Sequence, residues 1–537
     1  MIAFVGLISV PNCFYTFTQQ DERSVFMKTI KYPSKLLLFL SGRLLYTLLI
    51  LAQSALLIAL IILGSRLLWL DIALCAFSIL TALHLFTRSE KYAIRMSWMF
   101  LVLLAPPFGG VVYWVLYLQR RFPKFRKKAQ KNAVVNRDEY RTLCTSAEPT
   151  FSNAQDRHFL SYWKNTTSFP IYQNTDIRYL GDGKEMLLAM LEDLKTAQKF
   201  IFLEYYTIAE GVMWNSILDI LRERAAAGVD VRVIYDDFGS FLAIPANYRK
   251  TLRSYGIQCQ VFNRFSPRLT TLHNNRDHRK ITVIDGKIAY TGGINVADEY
   301  INEKSPFGHW RDAAVRMQGA APECFTAMFL QTWQQLSGKR ETLRNLIPAR
   351  DSDSASSGWI QPYSDDPMGN VRVGERIFNH AITRTEKTLL IATPYLMIGE
   401  EITAALKYCA QSGVDVRIVT PGIPDKKAVF FTTRSYYREL LAAGVKIYEY
   451  TPGFVHAKLI VSDDDFCVVG STNIDFRSFY INRECGICYY GGSMVADVKK
   501  DIFDMISVSR EIGEADCKNN VFVRFLQNVC RIFAPLM

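Results

Sequence analysis

The sequence lacks a metal-site spacing and a disulfide framework, and each absence removes a class of protein. Its eleven cysteines, an odd number scattered from Cys13 to Cys530, follow no regular spacing. That pattern favours reduced thiols facing a cytosol over a stapled secreted scaffold. The one CxxC, Cys485-Gly486-Ile487-Cys488, has no second CxxC or His pair to complete a zinc site. In its apolar, strand-like run it reads as two packed strand cysteines. Carboxylates at magnesium or calcium spacing are missing too. Asp463-Asp464-Asp465 resembles the start of a calcium loop but lacks the later Gly and Glu, which leaves a hairpin turn. The expectation is a chain that uses no metal and no cofactor. The apolar run Met1–Val10 has neither a basic leader nor a small-residue cleavage site, so it does not read as a secretory signal, and Met27 reads as an alternative start.

What is abundant is apolar and basic, and the two occur together. The 537 residues are 49% hydrophobic and 13% aromatic, enough for more than one core and for a part that sits in a bilayer. Residues 1–145 hold 18 Lys/Arg against 6 Asp/Glu, whereas the remainder holds 45 of each. A neutral remainder is not the footprint of a nucleic-acid partner. The basic N-terminal excess is a membrane-flank signal.

After a tail of residues 1–43, Leu44–Gly64 runs 21 residues without a charge, long enough to cross a hydrocarbon core. Leu67–Phe86 is a second candidate. Met96–Leu118 is a third, broken by Pro106-Pro107-Phe108-Gly109-Gly110, which suits a re-entrant hairpin better than a straight lipid-exposed helix. Three full spans would separate the N-terminal charges from the cluster after Leu118, while two spans plus a re-entrant segment put every basic cluster inside. The expected arrangement is a membrane region over 44–118 (two spans plus a re-entrant or third span) and a basic linker over 119–150 resting on anionic headgroups. The chain would be a multi-pass protein of the cell membrane with its remaining domains on the cytoplasmic side.

From about Phe151 the texture is that of an α/β protein. Lys199–Tyr206 predicts a buried strand, Trp214–Ala227 a helix, Gly228 its stop and Val229–Tyr235 the next strand. The cassette returns as Leu389–Ala392, Glu400–Gln411, Gly413 and Val414–Val419. Gly228-Val229-Asp230-Val231-Arg232 and Gly413-Val414-Asp415-Val416-Arg417 are nearly the same words, and Tyr255-Gly256-Ile257 is echoed by Ala443-Gly444-Val445. The fold class is therefore α/β in two tandem domains, 151–350 and 351–537, joined at the turn-rich stretch 351–358.

Each half carries the same chemical phrase. His278, Lys280 and Asp285 read H-x-K-x-x-x-x-D, as do His456, Lys458 and Asp463; Asn295 and Asn473 each follow their His by 17 positions. On a strand, residues i and i+2 share a face, so each His and Lys would point the same way. Each Asp falls in a hairpin turn (Asp285-Gly286 is a type I′ signal), where a structural role is as fitting as a catalytic one. Two halves about a pseudo-twofold would supply two imidazoles to one phosphorus: one attacks, the other protonates the leaving alkoxide and later deprotonates the acceptor. Lys280, Lys458, Asn295 and Asn473 would hold the non-bridging oxygens. A lone His is more often a hydrogen-bonded core residue, and His84, His158 and His380 are read so.

These paired phrases resemble the HKD signature of the phospholipase D superfamily. Residues 44–537 as a whole resemble its bacterial cardiolipin synthases, on Arg276–Lys280, Val283–Lys287, Thr291–Asn295, the block His309-Trp310-Arg311-Asp312 and the N-terminal hydrophobic hairpin. The resemblance implies two phospholipase D-like domains with mixed sheets flanked by helices. It implies that two phosphatidylglycerol molecules give cardiolipin and glycerol through a phosphatidyl-histidine, with the membrane and its phospholipid as partners. It also implies His278 as nucleophile, His456 as acid and base, and supporting roles for Ser471 and Glu484 in the second half. The first half departs from the pattern: Gly293 replaces the Ser, Pro306 stands at the Glu position, and Asp312 is expected to orient the site there. The competing readings are a phospholipase D or other phosphatidyltransferase, then a membrane-tethered nuclease, which the neutral domains disfavour.

Overall fold

The computed structural model describes residues 68–121 and 151–536 apart from 89, 105–107, 168, 265–273, 340, 342–345, 347–357 and 370, with Ala55 and Pro149 described singly. The expected tail, the span Leu44–Gly64, most of the basic linker and most of the seam lie outside these residues. Two compact units emerge, one from the described residues within Met1–Lys128 and Asn519–Met537, the other from those within Ala129–Phe265 and Asn274–Lys518.

The first unit is helical. The stretch expected as the second span is helical over Leu68–Phe86, while the stretch expected as the third divides into Tyr92–Leu104 and Phe108–Arg121. Gly109 explains how the two pieces fold together, because a Cβ there would sit 2.4 Å from the Leu101 carbonyl oxygen. The Trp114 indole donates to Thr81 Oγ1 at 3.1 Å, and the His84 ring packs among Tyr113, Trp114 and Tyr117. No helix among the described residues is long and apolar enough to cross a membrane. The helix Val521–Phe533 belongs to this unit: the Ser97 hydroxyl donates to the Ile532 carbonyl and Phe100 meets Phe533 edge-on. The expected second domain, 351–537, therefore ends as a sheet-bearing body at Lys518.

The second unit shows the duplication as topology. Its first half runs β1 (Thr175–Leu180), β2 (Phe200–Tyr205), β3 (Asp230–Asp236), β4 (Gln258–Phe262), β5 (Lys280–Ile284), β6 (Ile288–Gly292), β7 (His309–Arg311) and β8 (Ala314–Gly319). The second half runs β9 (Trp359–Asp365), β10 (Thr388–Ala392), β11 (Leu396–Met397), β12 (Asp415–Pro421), β13 (Lys446–Tyr450), β14 (Gly453–Val455), β15 (Leu459–Ser462) and β16 (Phe466–Gly470). It closes with β17 (Ile474–Asp475), β18 (Glu484–Tyr490) and β19 (Ser509–Ile512). The first sheet is ordered β1-β8-β6-β5-β2-β3-β4 and the second β9-β18-β16-β15-β10-β12-β13-β19, the same mixed plan with one added edge strand.

The reversal between each cassette helix and its following strand is set by glycine. Gly228, Gly413 and Gly444 adopt φ of +92°, +95° and +94° with nothing near a would-be Cβ, so the requirement there is conformational and not steric. The two halves share a core. Phe202, Ile281 and Val283 of the first sheet join Leu390, Val461 and Ile487 of the second in one buried cluster around the helix Pro322–Ser337. Cys485 and Cys488 lie buried and free on β18, as their setting predicted. His380 sits 2.9 Å from Asp156, whereas His158 is exposed on its helix and is not a core residue.

Candidate active site

The two phrases meet through backbone pairing between the halves. β7 lies parallel to β14, the His456 amide donates to the Arg311 carbonyl at 2.7 Å, and the His278 amide donates to the Arg483 carbonyl at 2.9 Å. Each His therefore docks against a segment of the opposite half. Residues 278–279 and 456–458 stand just ahead of β5 and β15 and not on them. Each Lys nonetheless returns to its own His: Lys280 Nζ donates to the His278 carbonyl at 2.6 Å, and Lys458 Nζ to that of His456.

The orienting carboxylates cross over. His278 Nδ1 lies 3.0 Å from both Glu484 oxygens, and His456 Nδ1 lies 2.6 Å from Asp312 Oδ2. Asp312, expected to support its own half, serves the other, and Glu484 does the same in return. With Nδ1 engaged in each ring, Nε2 is the nitrogen left for chemistry. The side chains around these carboxylates show why the halves differ. Ser471 Oγ donates to Glu484 Oε2 at 2.5 Å and accepts from the Cys485 amide, so it orients the acid. Gly293 stands where a Ser would collide, since its Cβ would lie 2.1 Å from Asp312 Oδ1.

All four reactive side chains are buried, with His278 8%, Lys280 1%, His456 7% and Lys458 3% exposed. Burial first, then the neighbouring lysines, holds His278 well below the usual imidazole range. Burial and Lys458 bring His456 down to about 3 against the pull of Asp312. Burial lowers Lys280 to about 8 and Lys458 to about 7. The carboxylates split: burial raises Glu484 to about 7, whereas Lys458 and His456 overcome burial and hold Asp312 below its ordinary value. Each histidine is influenced by the other half's lysine, so the groups share one electrostatic site. A dianionic or monoanionic phosphate is the ligand that would restore both ammonium charges.

The remaining candidates sort differently. Asp285 accepts the amides of Gln198, Lys199 and Phe200, each at 2.8 Å. Asp463 does the same for Glu386, Lys387 and Thr388. Both pin a hairpin to the start of the neighbouring strand, so the catalytic reading of these two residues gives way to the structural one. Asp285 and Gly286 have φ of +52° and +69°, as a type I′ turn requires. Asn295 is a scaffold more than a phosphate ligand. Its oxygen accepts from the Thr207 amide and its nitrogen donates to the Tyr300 hydroxyl, leaving one N–H. Asn473 keeps a buried carbonyl oxygen that has no hydrogen-bond partner among the described residues.

Sequence reasoning missed the rings that frame the site. Tyr206 meets His278 edge-on at 5.1 Å and Tyr300 meets His456 edge-on at 5.3 Å. In a chain so rich in aromatics, no spacing singled them out. Arg279, the middle residue of the first phrase, is buried against Glu204 (2.6 Å) and Asp277 (3.0 Å), while its counterpart Ala457 is simply packed. Among the described residues no group of three or more His, Cys, Asp or Glu is arranged to hold a metal ion.

The model of the family described as "Cardiolipin synthase, PLD-like domain" matches residues 190–305 and 378–506, the two halves that carry the phrases. A cardiolipin synthase of Alkalihalophilus pseudofirmus is 34% identical over 84% of this chain and 91% of its own length. An uncharacterized protein of Streptococcus mutans serotype c is 40% identical over 72% of this chain and 84% of its own. Among solved structures, the phosphatidylserine synthase of Haemophilus influenzae covers 71% of this chain and 98% of its own with a TM-score of 0.53; at 16% identity that likeness speaks for the fold.

Proposed function

The chain belongs to the cardiolipin synthases of the phospholipase D-like family, and we infer from its site how it performs the transfer between two phosphatidylglycerol molecules that yields cardiolipin and glycerol. The observation that carries this is the crossed pair of buried His–carboxylate contacts with a lysine beside each imidazole. His278 Nε2 attacks the donor phosphorus, and the P–O bond to the headgroup glycerol breaks as the P–N bond forms. His456 delivers the proton to the departing alkoxide, then takes one from the acceptor hydroxyl in the second step. Lys280 and Lys458 hold the non-bridging oxygens. The unequal carboxylates support this division of labour. Asp312, kept ionised, pulls against the burial and Lys458 that bring His456 down to about 3 in the free enzyme, so it supports the imidazolium His456 becomes once a bound phosphate offsets the two lysines. Glu484, raised to about 7, leaves His278 neutral and nucleophilic.

The reaction needs a lipid surface, and we place the chain in the cell membrane as a multi-pass protein with its second unit on the cytoplasmic side. The basic excess of residues 1–145 supports that reading, as do exposed apolar side chains on the first unit such as Trp69, Leu80, Phe86, Val521, Phe522 and Phe525. Expression in a host without cardiolipin tests the activity. New cardiolipin supports it, and phosphatidic acid alone would make the chain a hydrolase. Trapping of labelled lipid on His278→Asn and His456→Asn tests the assignment, which holds if only the His456 variant retains adduct.

A further inference from the structure

A transfer between two lipids needs two distinct headgroup places, and the mechanism above occupies only one. Beside the histidines the second half carries a polar cluster with no role in that mechanism. The connection after β12, Gly422 to Lys426, leads into the helix Lys427–Leu441. On it the Asp425 carboxylate accepts from the Tyr395 hydroxyl at 2.5 Å. The Lys426 ammonium lies 3.2 Å from that hydroxyl, 3.6 Å from Asp425 Oδ2 and 5.0 Å from the centre of the Tyr395 ring. The cluster stands one ring away from the reaction centre, for Tyr395 packs on Phe454 at 6.4 Å and Phe454 on His456 at 5.9 Å. Lys426 is also close enough to add, after burial and the two site lysines, to the lowering of His278.

The chemistry and accessibility suit a glycerophosphate headgroup. Lys426 and Asp425 are partly exposed, at 26% and 11%, so water and ligand can reach them. An ion pair of this kind exchanges partners at little cost. An ammonium answers a phosphate, and a carboxylate answers a hydroxyl. The matching connection of the first half, residues 237–247 after β3, contains no Lys or Arg. The asymmetry matters: donor and acceptor are the same lipid, so only the protein can tell their places apart.

We propose that Tyr395, Asp425 and Lys426 hold the headgroup of the acceptor lipid, with Lys426 on its phosphate and Asp425 on a glycerol hydroxyl. This rests on the reading of the histidine site given above. The acceptor's primary hydroxyl then attacks the phosphorus of the phosphatidyl-His278. The new P–O bond forms as the P–N bond breaks, and the hydroxyl proton passes to His456. Water has no phosphate or diol to engage here, so the cluster sets the partition between cardiolipin and phosphatidic acid.

The test uses the full chain in phosphatidylglycerol vesicles, with both products quantified by mass spectrometry, for Lys426→Gln, Asp425→Asn and Tyr395→Phe. The expected result is a cardiolipin-to-phosphatidic-acid ratio lowered about tenfold or more in the first two, the size of one lost charge-assisted contact. Lys426→Arg should recover part of the ratio. Tyr395→Phe removes a single hydroxyl and supplies the ratio if a charge change unfolds the chain. A ratio within about twofold of the parent's, a difference well under 1 kcal/mol, overturns the proposal, whether both products persist or decline together. A parent chain that makes neither product would overturn the reading of the histidine site itself.

Discussion

Replacing Asp312 by Asn should slow lipid transfer far more than replacing Glu484 by Gln, although the two acids occupy matching positions about the pseudo-twofold. Asp312 is 1% exposed, lies 2.6 Å from His456 Nδ1 and accepts the Ala313 amide at 2.8 Å. Asn keeps the shape and one accepting oxygen but removes the charge that stabilises an imidazolium in a dry site. Uncompensating a buried charge in this way costs about 3–5 kcal/mol. At 1.36 kcal/mol per decade, that is a kcat lowered about 10²- to 10⁴-fold. Glu484 is already pushed up to about 7, so near neutral pH its charge is present only part of the time and its removal costs less. Its amide can still hold the His278 ring through Nδ1. The assay is initial cardiolipin formation from vesicles at pH 7, with folding of each variant checked by thermal unfolding. If Asp312→Asn stays within about tenfold of the parent, an effect of only ~1.4 kcal/mol, or if Glu484→Gln is the more damaging, the assignment of His456 as acid and His278 as nucleophile is wrong.

Further outcomes follow from the same geometry. Gly293→Ser should push Asp312 off His456, because the added Cβ alone would lie 2.1 Å from its carboxylate; activity should fall toward that of Asp312→Asn, and unchanged activity would show that the acid relaxes freely. Asp285→Ala or Asp463→Ala orphans three backbone amides, most of them near solvent, so the urea midpoint should drop by the equivalent of about 2–3 kcal/mol while kcat moves less than tenfold. In the free enzyme the two lysines, lowered to about 8 and about 7, lose their charges as pH rises, so kcat/KM should decline on the basic side with an apparent pKa that belongs to the pair. His278, held well below the usual range, stays neutral on mild acidification, so the acid side should show no loss down to about pH 5.5, roughly a unit under a free imidazole.

What could be read from the chain beforehand was whatever repeats or is local. The duplicated words around Gly228 and Gly413 foretold two matching sheets because a helix stop followed by a strand is written in consecutive residues. The histidines and lysines were legible for the same reason, and Asp285 betrayed its turn through the Gly beside it. The crossing was not legible, since His278 and Glu484 are 206 positions apart and His456 and Asp312 are 144 apart. Periodicity within a segment carries no information at that range. One local mark did point to it. A Ser in the second half faces a Gly in the first, and a missing side chain beside a reactive group makes room for something. Here that something is Asp312, arriving from the short link between β7 and β8 to serve the opposite histidine. The departure from symmetry at Gly293 is thus the trace of the other departure, a short acid held below its ordinary value on one side and a longer one raised by burial on the other. Two identical halves would give two identical imidazoles, which cannot be nucleophile and acid at once; the small differences written into the second copy are what let one phosphate be attacked from one side and released on the other.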